Sequence, residues 1–109
     1  MKKLLIYVNE EVVHEIERDE TFDEERLTFL NKMDADMDHG IKIQGELLSN
    51  PDREQRAHFI LMNLIVALQH NNDAIISASN AYLVSRFPLL VEAHATDNKN
   101  SIKITLIED

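Results

Sequence analysis

The chain of 109 residues has no cysteine and no tryptophan, and only two glycines and two prolines. Without cysteine there is no disulfide, thiolate zinc site, iron–sulfur ligation or cysteine nucleophile. So few glycines and prolines argue against a loop-rich fold and against a glycine-rich phosphate cradle. Aromatic residues make up 6% of the chain, so the core is expected to be aliphatic. Basic charge is also scarce: 11 Lys and Arg stand against 20 Asp and Glu, a formal net charge of −9. Nucleic acid is bound by a basic face that displaces counterions from phosphate, and no Lys/Arg cluster here can form one. The same shortage argues against an anionic membrane surface. The acidity itself reads as a device for solubility.

Long apolar runs are missing too. The most apolar stretch, residues 59–68, falls well short of the roughly 20 residues that span a bilayer. The start, Met1-Lys2-Lys3-Leu4-Leu5-Ile6, has the look of a signal peptide, but its apolar run stops at Val8 and acids follow. Secretory leaders need a longer apolar region and a small-residue cleavage site. The expectation is a cytoplasmic protein, folded as a single domain over residues 1–109.

What the chain does have is one dominant apolar element. From Ala57 to Leu68 only His58 and Asn63 are polar. A surface helix shows an apolar stripe and a polar back, whereas this one is apolar most of the way round. The expectation is a buried central helix over residues 53–70, with Asn63 in a packing or helix–helix hydrogen bond. Ser49 or Asn50 is expected to cap it, with Pro51 at its first position and Asp52 complementing the helix dipole.

Before that helix, residues 3–8 read as a strand, Asn9-Glu10 as a turn, and residues 12–17 as a return strand. Thr21-Phe22-Asp23-Glu24 fits a capping box, with Thr21 as N-cap. Phe22, Leu27, Leu30, Met33, Met37, Ile41 and Leu48 continue one stripe, which favours a long helix from Phe22 to about Leu48 with a break allowed at His39-Gly40. The competing reading makes residues 41–44 a short strand. After the central helix, Asn71-Asn72-Asp73 ends one helix and starts the next, which Phe87-Pro88 stops. Ala74, Ala78 and Ala81 are expected to let this third helix lie close against the central one. Residues 90–96 and 101–107 alternate as a hairpin, with Ile102, Ile104 and Leu106 facing inward. The order is two strands, three helices, two strands. It predicts an α+β fold, with an antiparallel sheet and the helices packed on one of its faces.

One stretch carries metal-like spacing. Asp34, Asp36, Asp38 and Ile41 match positions 1, 3, 5 and 8 of an EF-hand-type calcium loop. The glycine and the bidentate glutamate each come one residue late, at Gly40 and Glu46. If the helix continues through Asp34, then Asp34 and Asp38 share a face and Asp36 points away, which favours solvated acids over a site. A domain binding a divalent ion, calcium or another, or a small ligand through Asp34, Asp36, Asp38, His39 and Glu46 stands as the alternative. The stretch Met33-Asp34-Ala35-Asp36-Met37-Asp38-His39-Gly40, followed by Pro51-Asp52, Gln55-Arg56 and Ala81-Tyr82, resembles a small group of uncharacterised bacterial proteins. The resemblance covers residues 33–90 and implies no activity.

The five histidines form no His-Glu-x-x-His pair or similar ligand spacing. His58, one turn after Glu54, is expected to hydrogen bond along the helix surface. Tyr82 and Arg86, one turn apart, are expected to stack on the surface. No nucleophile–base–orienter set is present, so the sequence leans away from an enzyme and predicts no cofactor. It points to a small interaction or accessory protein, self-associating as a homodimer or docking on a protein partner.

Overall fold

The computed structural model describes residues 3–18, 22–43, 45–98 and 101–109. In chain order the elements are β1 (Lys3–Val8), β2 (Glu11–Glu17), α1 (Glu24–Asp38), β3 (Ile41–Ile43), β4 (Glu46–Leu48), α2 (Arg53–His70), α3 (Asp73–Arg86), β5 (Leu90–Asn98) and β6 (Ser101–Glu108). The fold mixes helices and sheets as expected, but a small hairpin interrupts the three helices. The chain divides into two compact units, one built from residues 1–20 and 84–109 and the other from residues 21–83.

The first unit is a four-stranded sheet in the order β2-β1-β5-β6. Asn9 and Glu10 both adopt positive φ, 50° and 71°, the backbone a two-residue hairpin turn requires. Asn9 also ties the turn to β5: its amide donates to the Ala95 carbonyl at 2.8 Å, and its side chain accepts from the Asp97 amide at 2.8 Å. The expected antiparallel sheet is corrected here. β1 pairs with β2, and β5 with β6, in antiparallel fashion, but β1 and β5 run parallel. Alternation marks the two faces of a strand and says nothing about its partner's direction.

One face of the sheet carries the buried Leu4, Ile6, Ile16, Ala93 and Ala95. Ile104 and Leu106 lie in register with Ala95 and Ala93 and are half-buried on that same face. The opposite face is partly or fully exposed: Leu5, Tyr7, Glu92 and His94 are half-buried, and Val12, Glu15, Thr105 and Ile107 are exposed.

In the second unit α1 starts at an Asp23 cap, whose carboxylate accepts from the Arg26 amide at 2.8 Å. Thr21, expected in that role, lies outside the described residues. The single helix expected over residues 22–48 is corrected: α1 stops at Asp38, and β3 and β4 form a short antiparallel hairpin in which Ile41 faces Leu48. Gly40 at φ 122° and Gly45 at φ 84° make the two reversals, a backbone region that side chains with a Cβ avoid. The competing strand reading therefore holds for residues 41–43, while Gln44 lies outside the described residues.

The cap of α2 falls two residues later than Asn50. Asp52 accepts from the Gln55 amide at 2.8 Å, and the Gln55 side chain accepts from the Asp52 amide at 2.9 Å, a full capping box. Asn71 closes the helix in the left-handed conformation, and the Asn72 side chain accepts from the Ile75 amide at 3.3 Å to open α3. α2 is more amphipathic than its composition suggests. Ala57, Ile60, Leu61, Leu64 and Ala67 are buried, whereas Asn63 is exposed and Val66 is 48% exposed. The apolar run thus keeps one open edge, and Asn63 sits on it without a buried partner to satisfy.

His58 does not bond to Glu54. Its Nε2 is buried and has no hydrogen-bond partner among the described residues, and burial lowers its pKa from the ordinary 6.5. The unfolded chain then takes up a proton near pH 6.5 that the folded chain refuses, so stability falls as pH drops below about 6.5. His58→Leu should flatten that slope and, by removing an orphaned polar atom, add about 1 kcal/mol at low pH. Urea unfolding at pH 5.5 and 7.5 reads both effects; a slope unchanged by the substitution would reject the assignment.

Candidate functional site

The Asp-rich segment of α1 is built into a clamp. Asp34 and Asp38 lie one turn apart and face the same way, as expected from the sequence. Both meet Arg56 in the first turns of α2. The Arg56 Nη1 donates to the Asp34 carboxylate at 3.2 Å and to the Asp34 carbonyl at 3.1 Å, and Nη2 donates to the Asp38 carboxylate. Its Nε donates to the Pro51 carbonyl at 3.0 Å, so the reversal before α2 aims the guanidinium at α1. The bond from Asp38 outweighs the opposing effect of burial and raises the Arg56 pKa, with a further contribution from Asp34.

Tyr82 of α3 completes the clamp. Its hydroxyl donates to the Asp34 carboxylate at 2.5 Å. The surface stack expected for Tyr82 is corrected, because the side chain is among the largest fully buried ones. A phenol this buried needs a partner for its hydroxyl, and Asp34 supplies it. The clamp ties three helices together with charge-assisted bonds.

The remaining residues of the metal-like stretch do not join it. Asp36 is exposed on α1, His39 is an exposed residue just past the helix end, and Glu46 is exposed on β4. Among the described residues no three His, Asp or Glu side chains are grouped to hold a metal ion. The segments that carry Asp34, Asp38, Arg56 and Tyr82 nevertheless meet in space. The sequence signal for this was available: two acids one turn apart, and arginines at the start of an apolar helix, Arg53 and Arg56.

Beside the clamp, α1 and α3 border an open cleft of about 530 Å³. Arg26, Phe29 and Leu30 line it from α1, and Ala74, Ala78 and Ala81 from α3. The small residues expected to bring α3 against the central helix thus border open space, and Phe29 at the rim is 51% exposed.

The sheet offers two edges and one open face. The β2 edge carries Glu11, Glu15 and Glu17 and is broken by a register shift opposite Ile6/Tyr7. The β6 edge carries Lys103 and Glu108 as its only charges among eight residues, SIKITLIE. On the open face Tyr7 of β1 lies beside His94 of β5, with ring centroids 4.1 Å apart and planes 6° from parallel. The His94 Nε2 sits 2.7 Å from the Glu92 Oε1. Glu92 and His94 fall outside the His-Glu-x-x-His pattern; the two-residue period of a strand is the signal that places them on one face.

No described helix is long and apolar enough to cross a membrane. The chain matches no family model, no curated protein and no solved structure.

Proposed function

We propose that this is a small cytoplasmic interaction protein that associates with a second copy of itself through the edge of β6. The observation that carries the reading is the chemistry of that edge. Asn9 and the Ala95 and Asp97 backbone groups bond to one another, so Ala95 and Asp97 turn toward β1. Alternation then turns His94 and Thr96 toward β6, where they face Thr105 and Lys103. It follows that Ile104 and Leu106 turn their amides and carbonyls out of the sheet. Such a row templates another strand unless charge, proline or a bulge blunts it. β2 is blunted by glutamates that repel their own copies, while β6 carries one charge of each sign, Lys103 and Glu108, and no net charge. Two copies of β6 meeting antiparallel about a two-fold axis at Thr105 place Ile104 against the partner subunit's Leu106 with no like charges opposed.

Light scattering behind a sizing column is expected to give about twice the chain mass of 12.6 kDa. Ile104→Pro removes an outward amide while leaving the β5–β6 hydrogen bonds in place, and should return the protein to the single-chain mass with an unchanged circular dichroism spectrum. Thr105→Pro cuts the ladder itself and should lower stability. A wild-type monomer at high concentration, or a dimer that survives Ile104→Pro, rejects the proposal.

A further inference from the structure

We propose that Glu92 and His94 form a two-point chelate for a divalent transition-metal ion of the zinc or copper type on the open face of the sheet. The site stands apart from the β6 edge and does not depend on self-association. Residues two apart on a strand project from the same face, and β5 holds Ala93 between them buried on the other. The His94 Nε2 and Glu92 Oε1 are 2.7 Å apart, with side chains 25% and 35% exposed. A carboxylate oxygen only accepts, so Nε2 carries the proton that lies between them. An ion bound by these two atoms takes the place of that proton.

The bite fits. Zinc binds imidazole nitrogen and carboxylate oxygen at about 2.0–2.2 Å, so the two donors must stand about 3.0–3.4 Å apart. Rotation of the glutamate side chain supplies that opening of a few tenths of an ångström. Neither residue has another hydrogen-bond or ion-pair partner among the described residues. The nearby Lys3 is engaged by Glu15 and Glu17 at 3.1 and 3.7 Å, so it leaves the Glu92 charge to the ion. Tyr7 acts as a positioning residue: its ring, parallel to the imidazole, holds the His94 plane where its nitrogen meets Oε1, as outer-shell partners of metal ligands do.

The donor set names the ion. Imidazole with one carboxylate suits zinc, copper or nickel, whereas calcium and magnesium take all-oxygen shells. The chain supplies two donors, and the remaining positions stay open to water or to a donor group on an incoming molecule, as in open rather than structural sites. That separates this site from the Asp34/Asp38 pair, whose carboxylates are both engaged by Arg56.

The test is residue-resolved, because other histidines also attract these ions. With substoichiometric Cu²⁺ the amide signals of Tyr7, Glu92, His94 and Thr105 should broaden first in a proton–nitrogen NMR spectrum. With Zn²⁺ the imidazole nitrogens of His94 should shift before those of the other histidines. His94→Ala should abolish both effects while keeping signal dispersion, and Glu92→Gln should weaken Zn²⁺ binding about tenfold or more. Tyr7→Leu should keep binding but loosen it. First broadening at another histidine or along residues 34–46, or binding indifferent to His94→Ala or to Glu92→Gln, overturns the proposal.

Discussion

Leu64→Asp is expected to leave the chain without a cooperative unfolding transition, while Val66→Asp leaves it folded. The two positions are neighbours on α2, but Leu64 is fully buried and Val66 is 48% exposed. An unpaired carboxylate forced into the interior costs many kcal/mol unless it takes up a proton, against a total stability of about 5–15 kcal/mol for a native protein. On the open edge of the helix the same group stays in water. Leu64→Ala, which leaves a cavity instead of a charge, should cost about 2–5 kcal/mol. Circular dichroism with thermal melting separates the three variants. A folded Leu64→Asp protein would mean that α2 presents a different face to the core.

Arg56→Ala is the second large expectation. The substitution removes the three hydrogen bonds that Arg56 makes to Asp34 and Asp38 and leaves two carboxylates one turn apart without its positive charge. Breaking a buried pair by removing one partner costs about 3–5 kcal/mol. The Asp38 side chain is 58% exposed, and solvent screens that half of the clamp. A loss of about 2–3 kcal/mol follows, or a melting point lower by roughly 10–20 °C for a domain of this size. Arg56→Lys should recover little of it, because a single ammonium cannot serve Asp34, Asp38 and the Pro51 carbonyl together. Tyr82→Phe should cost about 1–2 kcal/mol, since Arg56 still serves the Asp34 carboxylate. Denaturant unfolding of the singles and of the Arg56→Ala/Tyr82→Phe double variant measures the coupling. Strict additivity would mean that the two side chains do not act through the shared carboxylate.

Local patterns in the sequence carried much of this structure. The β5–β6 alternation gave the correct inward set, Ile102, Ile104 and Leu106, because period-two burial is written residue by residue. The boundary at Asn71-Asn72-Asp73 was equally plain, since left-handed and capping residues announce themselves. The stripe from Met37 through Ile41 to Leu48 misled, because spacings of four and seven suit a helix whether or not the backbone between them reverses. Gly40 and Gly45 were the stronger signal: both hold the positive φ that ends one element and turns the next. The parallel β1–β5 pair was invisible, as no local pattern records which way a distant strand runs. The clamp was half legible. The shared face of Asp34 and Asp38 came from helical geometry alone, but Arg56 and Tyr82 reach it from segments 22 and 48 residues away, and that proximity is a property of the fold.

The pairing of β1 with β5 also sets an order on biosynthesis. The unit of residues 21–83 is continuous in sequence, whereas the sheet unit draws on both flanking segments. Leu5 and Glu92 stand side by side in the sheet, yet a whole helical unit is made between them. A ribosome therefore releases β1 and β2 long before their neighbour exists, and closing so long a loop is the slow step. During that interval the inner flank of β1, with Leu4 and Ile6 destined for burial, is an unpaired edge. Any β5 will fit it, including one from a neighbouring nascent chain. Exchange of the segment from β5 onward between copies is thus the characteristic assembly error of this topology, and crowded synthesis on one messenger is where it would arise.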